Sequence, residues 1–224
     1  MRAFVIGAVA LACLAEPAMA DPNTLTAAEQ AAGWKLLFDG KSMDAWRGYQ
    51  KPASDWKVVE ETLAPDPKAS GDLITKEQFG SFELAFEWKI SAKGNSGVMY
   101  HVSEAPERSY YSGPEYQVLD NSRGEPPLQR AGALYDLYAP TVDATKPVGE
   151  FNESRLLVKG NHVEHWLNGQ KVAEYELGSP EFKAKVAKSK FKDWPFAASP
   201  KGHIALQNHG DDVWYRSIKV RVLK

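Results

Sequence analysis

Glu115 and Gln117 stand two residues apart in the run Gly113-Pro114-Glu115-Tyr116-Gln117-Val118-Leu119-Asp120-Asn121. A Gly-Pro turn opens this run and Asp-Asn closes it, which reads as a short strand. On a strand the two side chains share a face, about 7 Å apart at roughly 3.3 Å of rise per residue. That spacing suits a carboxylate and a carboxamide gripping one small polar ligand; a solvated sheet face is the plain alternative. Polar residues recur in phase on other runs: Glu87 with Lys89, His165 between Val163 and Leu167, and His203, Gln207 and His209 in alternate positions. Polar residues in phase on several strands are what one concave polar surface requires. Each also has a simpler reading: His165 as a half-exposed strand residue, His203 as the start of its strand, and His209, just before Gly210, as a turn histidine. No phosphate-binding loop, serine elbow, zincin helix or paired-cysteine zinc motif is present. His162 and His165, three residues apart on a strand, point to opposite faces.

The elements that must carry these residues are strands. Phe82 to Ile90 is the clearest: Phe82, Leu84, Phe86, Trp88 and Ile90 alternate with Glu83, Ala85, Glu87 and Lys89, so one face meets a core and the other meets water or a cleft. Trp88 belongs with the apolar face. Further strands are expected at 34–38, 56–60, 72–75, 98–102, 132–138, 203–208 and 213–222, with a loop between Trp46 and Trp56 and a turn at 94–97. The runs 155–159, 163–167 and 171–175 form a meander whose second turn, Asn168-Gly169, has the type I′ signature. Thr26-Ala27-Ala28-Glu29 is a capping box opening a short helix that stops at Gly33. Ser179-Pro180-Glu181 opens a second, leading into a lysine-rich stretch, Lys183 to Lys192, that reads as a solvated helix and loop. About twelve short strands with no internal repeat and no linker give an all-β chain, an antiparallel jelly-roll β-sandwich with two short helices.

Composition agrees. The 224 residues carry a net charge of −2, which gives no reason to expect a nucleic-acid partner, and include seven Trp and nine Tyr. Aromatics favour strands and are the usual stacking surface for sugar rings. Residues 1–20 read as a signal peptide: Arg2, an apolar stretch too short to span a bilayer, then Ala18-Met19-Ala20 before Asp21. Export to the periplasm or medium is expected, with residues 21–224 as a single β-sandwich domain. The one cysteine, Cys13, lies inside that segment, where Ala10-Leu11-Ala12 makes a poor lipid-attachment context. The remainder has no disulfide and no thiol chemistry.

Several motifs together resemble one family. These are Gly94-Asn95-Ser96-Gly97-Val98-Met99-Tyr100, the Glu115 run, Ala131-Gly132-Ala133-Leu134-Tyr135-Asp136-Leu137-Tyr138-Ala139-Pro140, Gly160-Asn161-His162-Val163-Glu164-His165-Trp166-Leu167-Asn168-Gly169, and Ile204-Ala205-Leu206-Gln207-Asn208-His209-Gly210. In this order they resemble the 3-keto-disaccharide hydrolase family, also described as 3-keto-glucoside 1,2-lyase and 3-keto-2-hydroxy-glucal hydratase, over roughly residues 33–223. The resemblance implies a concanavalin A-like fold and a substrate oxidised at sugar C3, supplied by a sugar 3-dehydrogenase. The ketone acidifies the C2 hydrogen; a base removes it, the C1 oxygen leaves with help from an acid, and water adds back. Under this reading Glu115 and His209 are the acid–base residues. Gln117 and Gln207 hold sugar hydroxyls, Lys89 polarises the ketone, and Glu87, Tyr135 and His165 line the same cleft. A divalent cation on Glu115, His209 or Glu87 would suit an enolate, although no spacing demands one. The alternative is a non-catalytic carbohydrate-binding module, since fold does not fix function; titratable groups at 115 and 209 argue for catalysis. An ordinary glycosidase of this fold would carry an E-x-D-x-E strand, which is missing.

Overall fold

Alternating apolar residues need a partner face, and the chain supplies two sheets that cover each other. A computed structural model describes residues 21–69 and 71–224. Residues 1–20, where a signal peptide is expected and Cys13 stands, lie outside the described residues. In chain order the elements are α1 (Ala27–Ala31), β1 (Lys35–Leu36), β2 (Trp46–Gly48), β3 (Trp56–Val59), β4 (Thr62–Pro65), β5 (Leu73–Thr75), β6 (Phe82–Ile90), β7 (Asn95–Val102) and β8 (Glu115–Leu119). Then follow β9 (Asn152–Lys159), β10 (His162–Leu167), β11 (Gln170–Glu176), α2 (Pro180–Val186), β12 (His203–Leu206) and β13 (Val213–Val222). An eight-stranded sheet runs β11-β10-β9-β6-β13-β4-β3, with β1 also on β13; a five-stranded sheet runs β2-β5-β12-β7-β8. Pairings within both are antiparallel, and β6 and β7, consecutive in the chain, lie in different sheets. This is the jelly-roll sandwich expected.

The inner faces meet in one apolar cluster. Phe82, Leu84, Phe86, Trp88 and Ile90 of β6 pack with Val98 and Tyr100 of β7 and Tyr116 and Val118 of β8. Both helices start as their caps dictate. Thr26 Oγ1 accepts from Glu29 N at 3.2 Å while the Glu29 carboxylate accepts from Thr26 N at 2.8 Å, and Ser179 Oγ accepts from Phe182 N at 3.1 Å. Asn168 (φ 47°) and Gly169 (φ 79°) take the left-handed conformations of a type I′ turn.

Three expectations need correction. Residues 132–138 are not a strand. Gly132 (φ 85°) and Asp136 (φ 63°) curl the chain, and Leu134 O accepts from both Leu137 N and Tyr138 N at 3.0 Å. The curl still bonds to the open edge of β8, through Gln117 N to Ala133 O (3.1 Å), Gly132 N to Gln117 O (2.9 Å) and Tyr135 N to Glu115 O (3.0 Å). Secondly, Asn95, Ser96 and Gly97 are not a turn but the start of β7, because they pair with β8 from Leu119 to Gln117. Thirdly, β2 and β4 occupy stretches without an alternating signal; three and four residues long, they exist by pairing with β5 and β3.

Hydroxyl groups cross the core. Ser154 Oγ of β9 accepts from Trp88 Nε1 at 2.8 Å and donates to the Tyr116 hydroxyl at 2.9 Å, and Tyr116 donates onward to Trp166 O at 3.0 Å. Ser154 is only 4% exposed, so water cannot replace it. Ser154→Ala should cost about 1–3 kcal/mol by orphaning the indole N–H. The measurement is the urea midpoint, and an unchanged midpoint would show that the network adds no stability.

Candidate active site

Strand parity places one set of side chains in the core and the other outside. On β7 and β8, Val98, Tyr100, Tyr116 and Val118 point inward, so Asn95, Gly97, Met99, Glu115 and Gln117 project from the outer face of the five-stranded sheet. A second, smaller apolar cluster forms there from Tyr49, Ile74, Met99, Val102 and Ala205, with Tyr110 against it. Beside this cluster lies a cleft of about 490 Å³. Glu115 and Asn95 contribute from the sheet; Asp72, Ser109 and Tyr110, Lys190 and Phe191, and Gln207 to His209 contribute from its rims.

Glu115 is 9% exposed. Among the described residues its carboxyl makes no hydrogen bond. Burial pushes it up to about 8, against the opposing pull of Lys190 and with a smaller push from Asp72. Gly97, diagonally across the strand pair, makes room for it: a Cβ at 97 would lie 2.0 Å from Glu115 Oε1. Gln117 is buried and donates from Nε2 to Asn95 Oδ1 at 3.1 Å, while its own Oε1 has no partner. Gln117, expected to hold a sugar hydroxyl, does not itself line the cleft; its partner Asn95 does. Gln207, just past β12, uses its backbone to bond Gly97 O (2.9 Å) and Ser96 Oγ (2.7 Å). Its side-chain amide faces the cleft with no hydrogen bond among the described residues. His209 is exposed at the rim. Tyr135 is half-buried under Lys190, whose Nζ stands 4.2 Å from the ring centroid; burial, then Glu115, raises its phenol.

The structure thus gathers Glu115, Tyr135, Gln207 and His209, with Gln117 one contact behind, and leaves three expected residues elsewhere. Glu87 and Lys89 project from the outer face of the eight-stranded sheet. Glu87 is ion-paired to Arg216 at 2.8 Å, and Lys89 Nζ lies over Trp214 at 4.6 Å. Parity identified them as outward residues but not as members of the other sheet. His165 is fully buried. Its Nδ1 donates to Gly132 O at 3.0 Å, its Nε2 accepts from the Tyr175 hydroxyl at 2.8 Å, and burial lowers it to about 4, so it is a neutral core residue. His203 is likewise buried, with Nδ1 donating to Thr75 O at 2.6 Å. Asp72 and Lys190 are among the cleft residues that were missed. Asp72 stood in the sequence as the first residue of an unremarkable strand, and Lys190 was one lysine of a basic stretch.

With Glu87 on the other sheet, the ligand set Glu115, His209 and Glu87 does not assemble. Among the described residues one trio brings His and carboxylate atoms within 4.8 Å of one another: His162, Glu164 and Glu174. It lies on β10 and β11, where Lys171 already pairs with both carboxylates.

One sheet face of the jelly-roll sandwich carries a cleft lined by carboxylates, cations and aromatic rings, and the sequence matches a known family of carbohydrate-active proteins. The match is specific: residues 33–221 fit the family model described as the 3-keto-alpha-glucoside-1,2-lyase-like domain, and the chain belongs to that family. It is 33% identical to the 3-keto-disaccharide hydrolase of Bacteroides thetaiotaomicron, over 91% of this chain and 83% of that protein. A solved structure from Parabacteroides distasonis, of a protein proposed to be a glycosyl hydrolase, superposes with a TM-score of 0.85 at 32% identity, over 91% of this chain and 100% of that one. A galectin-like protein of unknown function from Bacillus subtilis shares the fold alone, with a TM-score of 0.51 at 11% identity over 90% of this chain and 94% of that one.

Two outcomes follow for Glu115. Folded, it holds its proton to about pH 8; its ordinary value is 4.5. Between those values the folded state binds more protons than the unfolded chain, so the contribution to stability is full below 4.5 and is lost as pH rises through 8. Glu115→Gln should flatten that decline in a series of urea melts; an equally steep decline in the variant would contradict the assignment. Gly97→Ala should displace the carboxyl and lower the pH at which it titrates, read by carboxyl 13C shifts.

Proposed function

We propose that this enzyme is a hydrolase of 3-keto-glycosides that works by elimination at C1–C2 followed by hydration. The observation carrying the reading is Glu115: a buried carboxyl that keeps its proton near neutral pH, without a hydrogen bond among the described residues, at the floor of a cleft of about 490 Å³. A binding module needs donors and stacking surfaces but has no use for such an acid.

The roles follow from the positions. His209, exposed at the rim of the cleft, takes the C2 proton. The C2–H electrons form the enolate, with the C3 oxygen taking the negative charge. Lys190 and the free amide of Gln207 are the cation and donor at hand to stabilise it. As the enolate collapses, the C1–O bond breaks and Glu115 gives its proton to the leaving oxygen, yielding an alcohol and an enone. Hydration reverses the proton traffic. The Glu115 carboxylate takes a proton from the water that adds to C1, and His209 returns its proton to C2. Both groups end as they began. The part-buried rings of Tyr110 and Tyr135 offer surface on which sugar can stack. A partner sugar 3-dehydrogenase supplying the ketone, and export directed by residues 1–20, belong to the same proposal.

Glu115→Gln and His209→Ala should each lower kcat/KM on a 3-keto-glucoside by at least about 100-fold, with transient enone absorbance in the wild type and an unoxidised disaccharide left intact. Near-normal rates in both variants would remove this assignment of roles.

A further inference from the structure

Asp72 immediately precedes β5 and lines the same cleft as Glu115 and His209. Its two carboxylate oxygens are used on two different rims. Oδ1 accepts from Asn208 N at 3.0 Å, and Oδ2 accepts from Ser109 Oγ. Asn208 is the residue before His209. Its own side chain donates to Asp66 O at 3.0 Å and Ala69 O at 3.1 Å, and its Oδ1 accepts from Gly210 N at 3.1 Å. The turn that presents His209 is therefore tied on both sides, with Asp72 as its anchor to the sheet. On the other rim, Ser109 opens the short 3-10 turn Ser109–Tyr111, which carries the aromatic wall.

We infer that Asp72 is a positioning residue of this site: one carboxylate that fixes the His209 turn to the Ser109 rim and holds a negative charge in the cleft that Glu115 shares. This rests on the acid–base roles proposed for Glu115 and His209.

The charge has a direction of action. Both bonds that Asp72 receives come from donors, which favours its ionised form, although burial acts against this and raises its carboxyl overall. A negative charge beside Glu115 disfavours ionisation there, and Asp72 does act in that sense, opposing the cation of Lys190. The other groups coupled to Glu115 are the phenols of Tyr135 and Tyr215. Those coupled to Asp72 are Arg108 and His209, with the phenols of Tyr49, Tyr110 and Tyr215. Asp72 thus serves both groups: its charge helps to keep the acid protonated, and its bond from Asn208 N keeps the base in place.

Asp72→Asn is nearly isosteric and leaves an oxygen for Asn208 N while removing the charge. In the full chain, the alkaline limb of the kcat/KM profile should move to lower pH by at least about 0.5 unit, because Glu115 loses a like charge. The 13C titration of the Glu115 carboxyl should shift by the same amount without substrate. Ser109→Ala, which keeps the charge but removes one donor, should lower kcat/KM and leave the Glu115 titration within about 0.5 unit of wild type. An unmoved Glu115 titration in Asp72→Asn overturns the inference. An absent alkaline limb together with a shifted carboxyl titration would instead sink the catalytic reading while leaving the coupling intact.

Discussion

The two sheets are held in register by tyrosine hydroxyls that reach across the core, and the placement of every cleft residue depends on them. Tyr116 meets Ser154, Tyr215 meets Ser96 at 2.8 Å, and Tyr100 meets Tyr175 at 2.8 Å, with Tyr175 donating onward to His165. A tyrosine on an inner face brings an apolar ring and one polar atom that must find a partner when buried. Apolar packing alone tolerates a sliding of sheet over sheet. Three hydroxyls with fixed acceptors do not. Ser96, Tyr100 and Tyr116 sit on β7 and β8, so the same strands that are locked inward carry Asn95, Gly97 and Glu115 outward.

Glu115 shows the opposite economy. Every crossing hydroxyl is satisfied, whereas the carboxyl at the cleft floor and the Gln117 oxygen beside it have no hydrogen-bond partner among the described residues. A buried polar group without a partner destabilises a fold, and at Glu115 that cost falls where a ligand in the cleft would supply the missing contact. Gly97 is part of the arrangement: the space for the carboxyl exists because its cross-strand neighbour lacks a side chain.

Much of the fold was legible in the sequence because strand parity and capping are local. Phe82–Ile90 was found with its true bounds, as were the capping box at Thr26 and the turn at Asn168-Gly169. The curl at 132–138 was not, since its alternation mimics a strand and only the left-handed residues at 132 and 136 break it. The same limit governs the site. Parity says that Glu87 and Glu115 both face outward, but which of two sheets a strand joins is decided by long-range pairing, here β6 with β13 and β7 with β12. Glu115, Tyr135, Gln207 and His209 came together because the family resemblance marked their motifs as a set. Asp72 stands just before β5 and Lys190 in the loop after α2, both without periodic context, and nothing local distinguishes them.

The curl at 132–135 has a consequence for the solution behaviour of the molecule. A terminal strand with bare amides and carbonyls is a template on which another chain can add a strand. Strand β8 ends the five-stranded sheet, yet its outer backbone groups are already bonded to the curl. The strand bearing Glu115 is thereby closed to edge-to-edge self-association, and the far margin of the eight-stranded sheet, β11, is guarded differently, by the charges of Lys171, Glu174 and Glu176.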